Sequence, residues 1–252
     1  IMAALGLTAR AIPAGPESRF QPRPEDLGDA DGLLVASPAN PTGAVLTGPE
    51  LRALADAARD RGAALISDEI YHGLTYGGRA TSALEVADDA VVINSFSKYW
   101  SMTGWRVGWM VVPEDLVRPV ERLAQNLFIC APHASQVAAL AAMDATEECE
   151  AMRAVYARNR DVLLDALPRA GFRVPTPCEG AFYVWADASA HGMESPELCR
   201  RLLAEAGVAA TPGLDFDPAR GRDWVRFSFA AGEEDIAEGA RRLNAWAAGR
   251  SS

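Results

Sequence analysis

Three short apolar runs, each ending in a polar cluster, constrain this chain more than any other feature. Gly32-Leu33-Leu34-Val35-Ala36 is continuous, and it leads into Ser37-Pro38-Ala39-Asn40-Pro41-Thr42-Gly43, which must turn. Ala63-Ala64-Leu65-Ile66-Ser67 runs to Asp68, and Ala90-Val91-Val92-Ile93-Asn94 runs to Ser95. Runs without polar alternation suit strands buried on both faces. After the first of them, Thr47-Gly48-Pro49-Glu50 supplies a capping box, and Leu51, Leu54, Ala55 and Ala58 form a helical stripe closed near Gly62. The alternation of strand, loop and helix implies an α/β fold, a mainly parallel sheet wrapped by helices. In such sheets ligands gather beyond the carboxyl ends of the strands. Asn40, Asp68 and the segment from Ser95 to Lys98 all follow such ends.

The remainder of the chain has a different grain. A Pro-rich connection covers Ile12 to Pro24, and Ile1 to Leu7 reads as the last turns of a helix ended by Gly6 with no start signal, so the chain is expected to open inside an element. From Pro113 onward helical signals dominate, including Pro132 to Asp144 and Glu147 to Leu167, the latter suited to a helix linking two domains. Beyond Pro168, Gly180 to Trp185 and Trp224 to Phe229 alternate like antiparallel strands. Ser195-Pro196-Glu197 reads as a helix cap, and Glu233 to Trp246 as a further helix. The expected division is 1–145 for part of a large domain, 146–168 for the linking helix and 169–252 for a smaller C-terminal α+β domain.

Composition narrows the function classes. With 252 residues, 49% of them hydrophobic, the chain can bury a substantial core. A net charge of -10 argues against a nucleic-acid partner, because phosphate affinity comes from clustered Lys and Arg. No apolar run approaches the roughly 18 residues needed to cross a bilayer, and no signal peptide is readable, so a soluble cytoplasmic protein without a membrane partner is expected. Cys130, Cys149, Cys178 and Cys199 lack any CxxC spacing and read as reduced, mostly buried thiols. His72, His133 and His191 lack ligand spacing, so no metal is expected.

Three ordered signatures remain: Asn40-Pro41-Thr42-Gly43, Asp68-Glu69-Ile70-Tyr71, and Ser95-Phe96-Ser97-Lys98 followed by Gly104-Trp105-Arg106-Val107-Gly108. In isolation Lys98 would pass for an exposed lysine, Asp68 for a helix cap, Tyr71 for a core tyrosine, and Ser95 and Asn40 for turn residues. Together, and with Gly180-Ala181-Phe182-Tyr183 and Arg226-Phe227-Ser228, they resemble the class I/II aminotransferases of the aspartate aminotransferase superfamily, whose large domain has the fold-type I architecture. The resemblance covers nearly the whole chain.

It implies pyridoxal 5'-phosphate (PLP) as cofactor, joined to Lys98 as a Schiff base, with Lys98 also carrying the proton. An amine can take that part once its surroundings disfavour its charge. By the same resemblance Asp68 keeps the cofactor's ring nitrogen protonated, and Tyr71 and Asn40 contact its ring oxygen. Ser95, Ser97 and Arg106 bind the phosphate, and Arg226, helped by Asn40, binds the substrate α-carboxylate. The implied activity is transfer of an amino group between an amino acid and a 2-oxo acid, in a homodimer. The same residues serve PLP-dependent lyases, decarboxylases and cyclising synthases, and an aminotransferase-like sensor domain of a transcription regulator shares the pattern. Family members also have an upstream segment, with a small-residue turn for the phosphate and an aromatic residue that stacks on the cofactor, and it cannot be placed in this sequence.

Overall fold

The three apolar runs form β1 (Gly32–Ala36), β2 (Ala64–Asp68) and β3 (Val91–Ser95) in a computed structural model that describes residues 2–250. β1 pairs with β2 and β2 with β3, both in parallel, so Asp68 and Ser95 close neighbouring strands at the same end of the sheet. A fourth strand, β4 (Gly108–Val111), is not expected from the sequence; it pairs with β3 in the antiparallel sense, so that Ser95 faces Gly108. Only a glycine permits that approach, since a Cβ at 108 would lie 2.6 Å from the Asn94 carbonyl oxygen.

Between β1 and β2 lies α1 (Gly48–Asp60), begun by the expected capping box: Thr47 Oγ1 accepts from the Glu50 backbone N–H, and the Glu50 carboxylate accepts from that of Thr47. Its buried Leu51, Leu54, Ala55 and Ala58 pack on Leu33, Val35, Leu65 and Val92, one face of the sheet. On the opposite face Leu34 and Met110 stay exposed, so among the described residues β1 and β2 are buried on one face, not on both as their unbroken apolar runs predict.

Three helices follow, α2 (Glu114–Leu127), α3 (His133–Ala142) and the long α4 (Thr146–Arg169). The C-terminal sheet is antiparallel, with β7 (Trp224–Ser228) central between β5 (Tyr183–Asp187) and the two-residue β6 (Thr211–Pro212). α5 (Ser195–Arg201) and α6 (Glu233–Ala248) complete this part. α4 and α6 pack together over it around Leu163, Leu167, Val184, Leu198, Val225, Phe229 and Leu243. Burial of such branched side chains, at about 25 cal/mol per Å² of apolar area, holds the second sheet in place.

Three further sequence expectations need correcting. β5 begins at Tyr183 rather than Gly180, and all five of its residues are buried because helices cover one face and Arg226 and its neighbours the other. Glu194, not Ser195, takes the N-cap position of α5, and the buried Ser195 hydroxyl instead donates to the Gly221 carbonyl at 3.0 Å. The opening segment is a single 3-10 turn, Ala3–Leu5, closed by Gly6 in the left-handed region; Ile1 lies outside the described residues.

Candidate active site

The Lys98 amine stands half-buried between two rings, 5.4 Å from the centre of Tyr71 and 5.6 Å from that of Phe182. Among the described residues it makes no hydrogen bond and no ion pair. Burial, reinforced by Arg106 and Arg226, lowers its pKa below the ordinary lysine value, against the opposing pull of Asp68. Lys98 is also the only lysine in the sequence, among 24 basic residues. The composition alone carries that signal. Arginine, whose guanidinium stays protonated, serves at every other basic position, but it cannot serve where a neutral amine is required.

Asp68 ends β2 with its carboxylate half-buried, and burial raises its pKa, with Glu69 adding to the rise. Its single hydrogen bond among the described residues comes from the Ile70 N–H to Oδ1 at 3.2 Å, which leaves the other oxygen open to a donor. Glu69, one residue on, points to the opposite side of the strand and is 2% exposed. It accepts from Ser67 Oγ at 3.0 Å and from the Ala83 N–H at 2.7 Å, and His72 Nδ1 lies 3.3 Å away. Its place in the motif suggests no role, yet it ties the end of β2 to the Ser82–Glu85 turn. Tyr71 is buried against Phe182 and Tyr183 and shares a 3.3 Å hydrogen bond with the Tyr183 hydroxyl. Burial raises its pKa, so Tyr71 stays protonated and able to donate.

The loop from Ser95 to Arg106 is wound tightly. Ser95 Oγ accepts from the Ser97 N–H at 3.0 Å, and Tyr99 donates to Glu150 of α4 at 2.7 Å. Ser101 and Arg106 both hold positive φ, 55° and 53°, a conformation that costs a non-glycine residue roughly 1 kcal/mol or more. Strain of this kind persists where the surroundings over-determine it. It leaves Arg106 exposed, with one hydrogen bond from Nη1 to the Thr103 carbonyl and, among the described residues, its remaining N–H groups open.

Arg226 lies on the central strand β7. Its Nη1 donates to Asn40 Oδ1 at 2.9 Å and its Nη2 to Thr211 Oγ1 at 3.2 Å, while Nε is buried without a partner among the described residues. The guanidinium lies 4.1 Å from the centre of the Tyr183 ring and 4.6 Å from that of Phe216. Through Tyr183 it meets Tyr71, and through Tyr71 it meets Lys98. The residues singled out in the sequence thus fall in two linked groups: Asp68, Tyr71 and Lys98 with the Ser95–Arg106 loop, and Asn40 with Arg226. Tyr183, Thr211 and Phe216 join the second group; Tyr183 stands in the Gly180–Tyr183 motif, and no local signal in the sequence marks Thr211 and Phe216 for it.

The side chains present fit PLP: an unpaired amine of depressed pKa, a carboxylate with an open oxygen, a donor hydroxyl, and a strained loop offering hydroxyls and a free guanidinium edge. Comparison with known proteins agrees. The model of the family described as aminotransferase class I and II matches residues 10–243. A valine–pyruvate aminotransferase of Mycobacterium tuberculosis is 48% identical over 98% of this chain and 66% of the relative. A solved aminotransferase structure from the same organism is 47% identical, with a TM-score of 0.94 over 98% of this chain and 66% of that one. An aspartate aminotransferase double mutant of Thermus thermophilus is 34% identical, with a TM-score of 0.87 over 95% of this chain and 64% of that one. The chain therefore spans about two thirds or less of the proteins it matches. It belongs to the aminotransferase class I and II family, whose members depend on PLP and have the fold-type I architecture.

Proposed function

We propose that the protein acts as a PLP-dependent aminotransferase, moving an amino group between an amino acid and a 2-oxo acid, with Lys98 holding the cofactor. The observation that carries this reading is the Lys98 amine itself: the only lysine of the sequence, half-buried, unpaired, and shifted toward its neutral form. Only the unprotonated amine is a nucleophile and a base, and a lowered pKa makes that form more available than in an ordinary lysine.

When bound, PLP supplies an aldehyde carbon and a ring that accepts electrons from the substrate. The protein's own part follows from the side chains. Lys98 Nζ would hold the aldehyde carbon and, once released, carry the proton to and from the substrate Cα. Asp68 would keep the ring nitrogen protonated, a role supported by the carboxylate oxygen left without a hydrogen bond among the described residues. Tyr71 and Asn40 would hold the ring oxygen, and Ser95, Ser97 and Arg106 the phosphate. Arg226 would clamp the α-carboxylate, with Asn40 beside it.

The names of the relatives support transfer over the lyase, decarboxylase, synthase and sensor readings of the same residues, and valine with pyruvate is the pair to test first. The proposal extends to a cytoplasmic homodimer. No described helix is long and apolar enough to cross a membrane, and the exposed Leu123, Leu127 and Leu140 on α2 and α3 offer apolar surface to a partner. It also keeps the division at 145/146 and 168/169, which α4 bridges.

The test is a half-reaction. L-valine added to the full-length protein loaded with PLP should convert the absorbance of the aldehyde form into that of the aminated form, and pyruvate should restore it. No conversion with any amino acid of a broad panel would reject the proposal, as would release of ammonia or CO₂ in its place.

A further inference from the structure

An arginine is a useful fork only when its plane is fixed, and here three residues fix it. We propose that Phe216, Tyr183 and Thr211 are positioning residues that hold the Arg226 guanidinium so that one edge alone is open to a substrate carboxylate. The inference rests on the carboxylate role proposed for Arg226.

The donor count supports it. A guanidinium has five N–H donors. One goes to Asn40 Oδ1, one to Thr211 Oγ1, and the Nε–H is buried. Two remain, one on each terminal nitrogen, and a carboxylate accepts two in parallel. Aromatic rings close in on the plane as well. Tyr183 covers the guanidinium at 4.1 Å and Phe216 at 4.6 Å, and the attraction of a cation to ring faces opposes rotation out of that slot.

The slot is built by register. Thr211 of β6 and Trp185 of β5 stand directly opposite Arg226, one on each side of β7. Phe216 comes from the turn after β6, where Gly213 and Gly221 touch so closely that a Cβ on Gly213 would lie 2.4 Å from the Gly221 oxygen. The Phe216 ring meets Trp185 edge-on at 5.8 Å, Trp185 stacks on Trp224 at 5.5 Å and 5°, and Phe20 closes the row edge-on to Trp224 at 5.3 Å. Phe216 is thus backed by a row of aromatic rings that holds it against Arg226. Tyr183 also bonds Tyr71, so Phe216 and Thr211, which touch no proposed cofactor residue, separate orientation of the fork from cofactor contact.

The experiment compares Phe216→Leu, Phe216→Tyr, Thr211→Val and Thr211→Ser in the full-length loaded protein, with Arg226→Lys as reference. Phe216→Leu and Thr211→Val should each raise KM for an amino-acid donor roughly fivefold, about 1 kcal/mol, while kcat changes less. KM for butylamine, which has no carboxylate, should stay near the parent value. Binding of butyrate, followed by calorimetry, should weaken in the same ratio as the amino-acid KM rises. Phe216→Tyr and Thr211→Ser, which keep the ring and the hydroxyl, should restore parent behaviour. Unchanged KM and butyrate affinity in both Phe216→Leu and Thr211→Val, or equal losses for butylamine, would overturn the inference while leaving the role of Arg226 standing if Arg226→Lys still loses its preference for carboxylates. An Arg226→Lys protein that keeps that preference would overturn the role and the inference together. Should Phe216→Leu not fold, the Thr211 pair decides alone.

Discussion

The Lys98 amine lies 5.4 Å from the centre of the Tyr71 ring, and nothing on the described protein pairs with it. A cation held there has lost part of its water and received only the faces of two rings and a distant carboxylate in exchange, which is why its pKa is lowered. The arrangement suits chemistry better than stability.

Replacing Lys98 by Met should therefore raise the melting temperature of the cofactor-free protein at pH 7. The sign follows from proton binding. With the folded pKa below the unfolded value, the unfolded chain binds more protons between the two, so the parent gains stability as pH rises through that interval. Lys98→Met should lose this gain. Thermal melts from pH 7 to 10 check it, and a destabilised Met variant with an unchanged pH slope would count against the account of the amine.

Asp68→Asn should lower kcat by roughly a hundredfold with a much smaller change in KM, since it removes the charge proposed to face the cofactor ring while keeping the shape. The side chain's one hydrogen bond, from the Ile70 N–H, can still be accepted by the amide oxygen. Steady-state kinetics decide this, and a change confined to KM would remove Asp68 from its proposed role.

Glu69→Ala should cost about 2 kcal/mol or more of unfolding free energy, because the Ala83 N–H and the Ser67 hydroxyl lose a buried acceptor. Denaturant unfolding measures it. Glu69→Gln keeps an acceptor oxygen and should lose less. A neutral Ala variant would mean that the buried carboxylate contributes nothing net.

How much of the molecule is legible in the sequence depends on the range of the interaction. β1, β2, β3 and α1 are readable because apolar continuity and the Thr47–Glu50 box are local signals, and the ordered motifs carry Asn40, Asp68, Tyr71, the Ser95–Arg106 loop and Arg226 as candidates. β4 escapes because four residues of antiparallel edge, opening on Gly108, carry little pattern of their own. Phe216, Thr211 and Tyr183 cannot be read as partners of Arg226: sheet register and a contact between Gly213 and Gly221 bring them to it from positions separated along the chain. Ser195 misleads because its hydroxyl has the chemistry of a cap, but its burial under the Gly221 carbonyl offers a tertiary partner in place of a local one. The solitary lysine, by contrast, is plain in the composition.

That lysine also allows the cofactor's point of attachment to be read directly. The full-length protein loaded with PLP is reduced with borohydride, digested with trypsin and examined by mass spectrometry. A single cofactor-modified site is expected in this region, Lys98, and no modified peptide is expected from the Lys98→Ala protein after the same treatment. Cofactor fixed to any other amine with Lys98 unmodified, or an adduct that survives Lys98→Ala, would contradict attachment at Lys98.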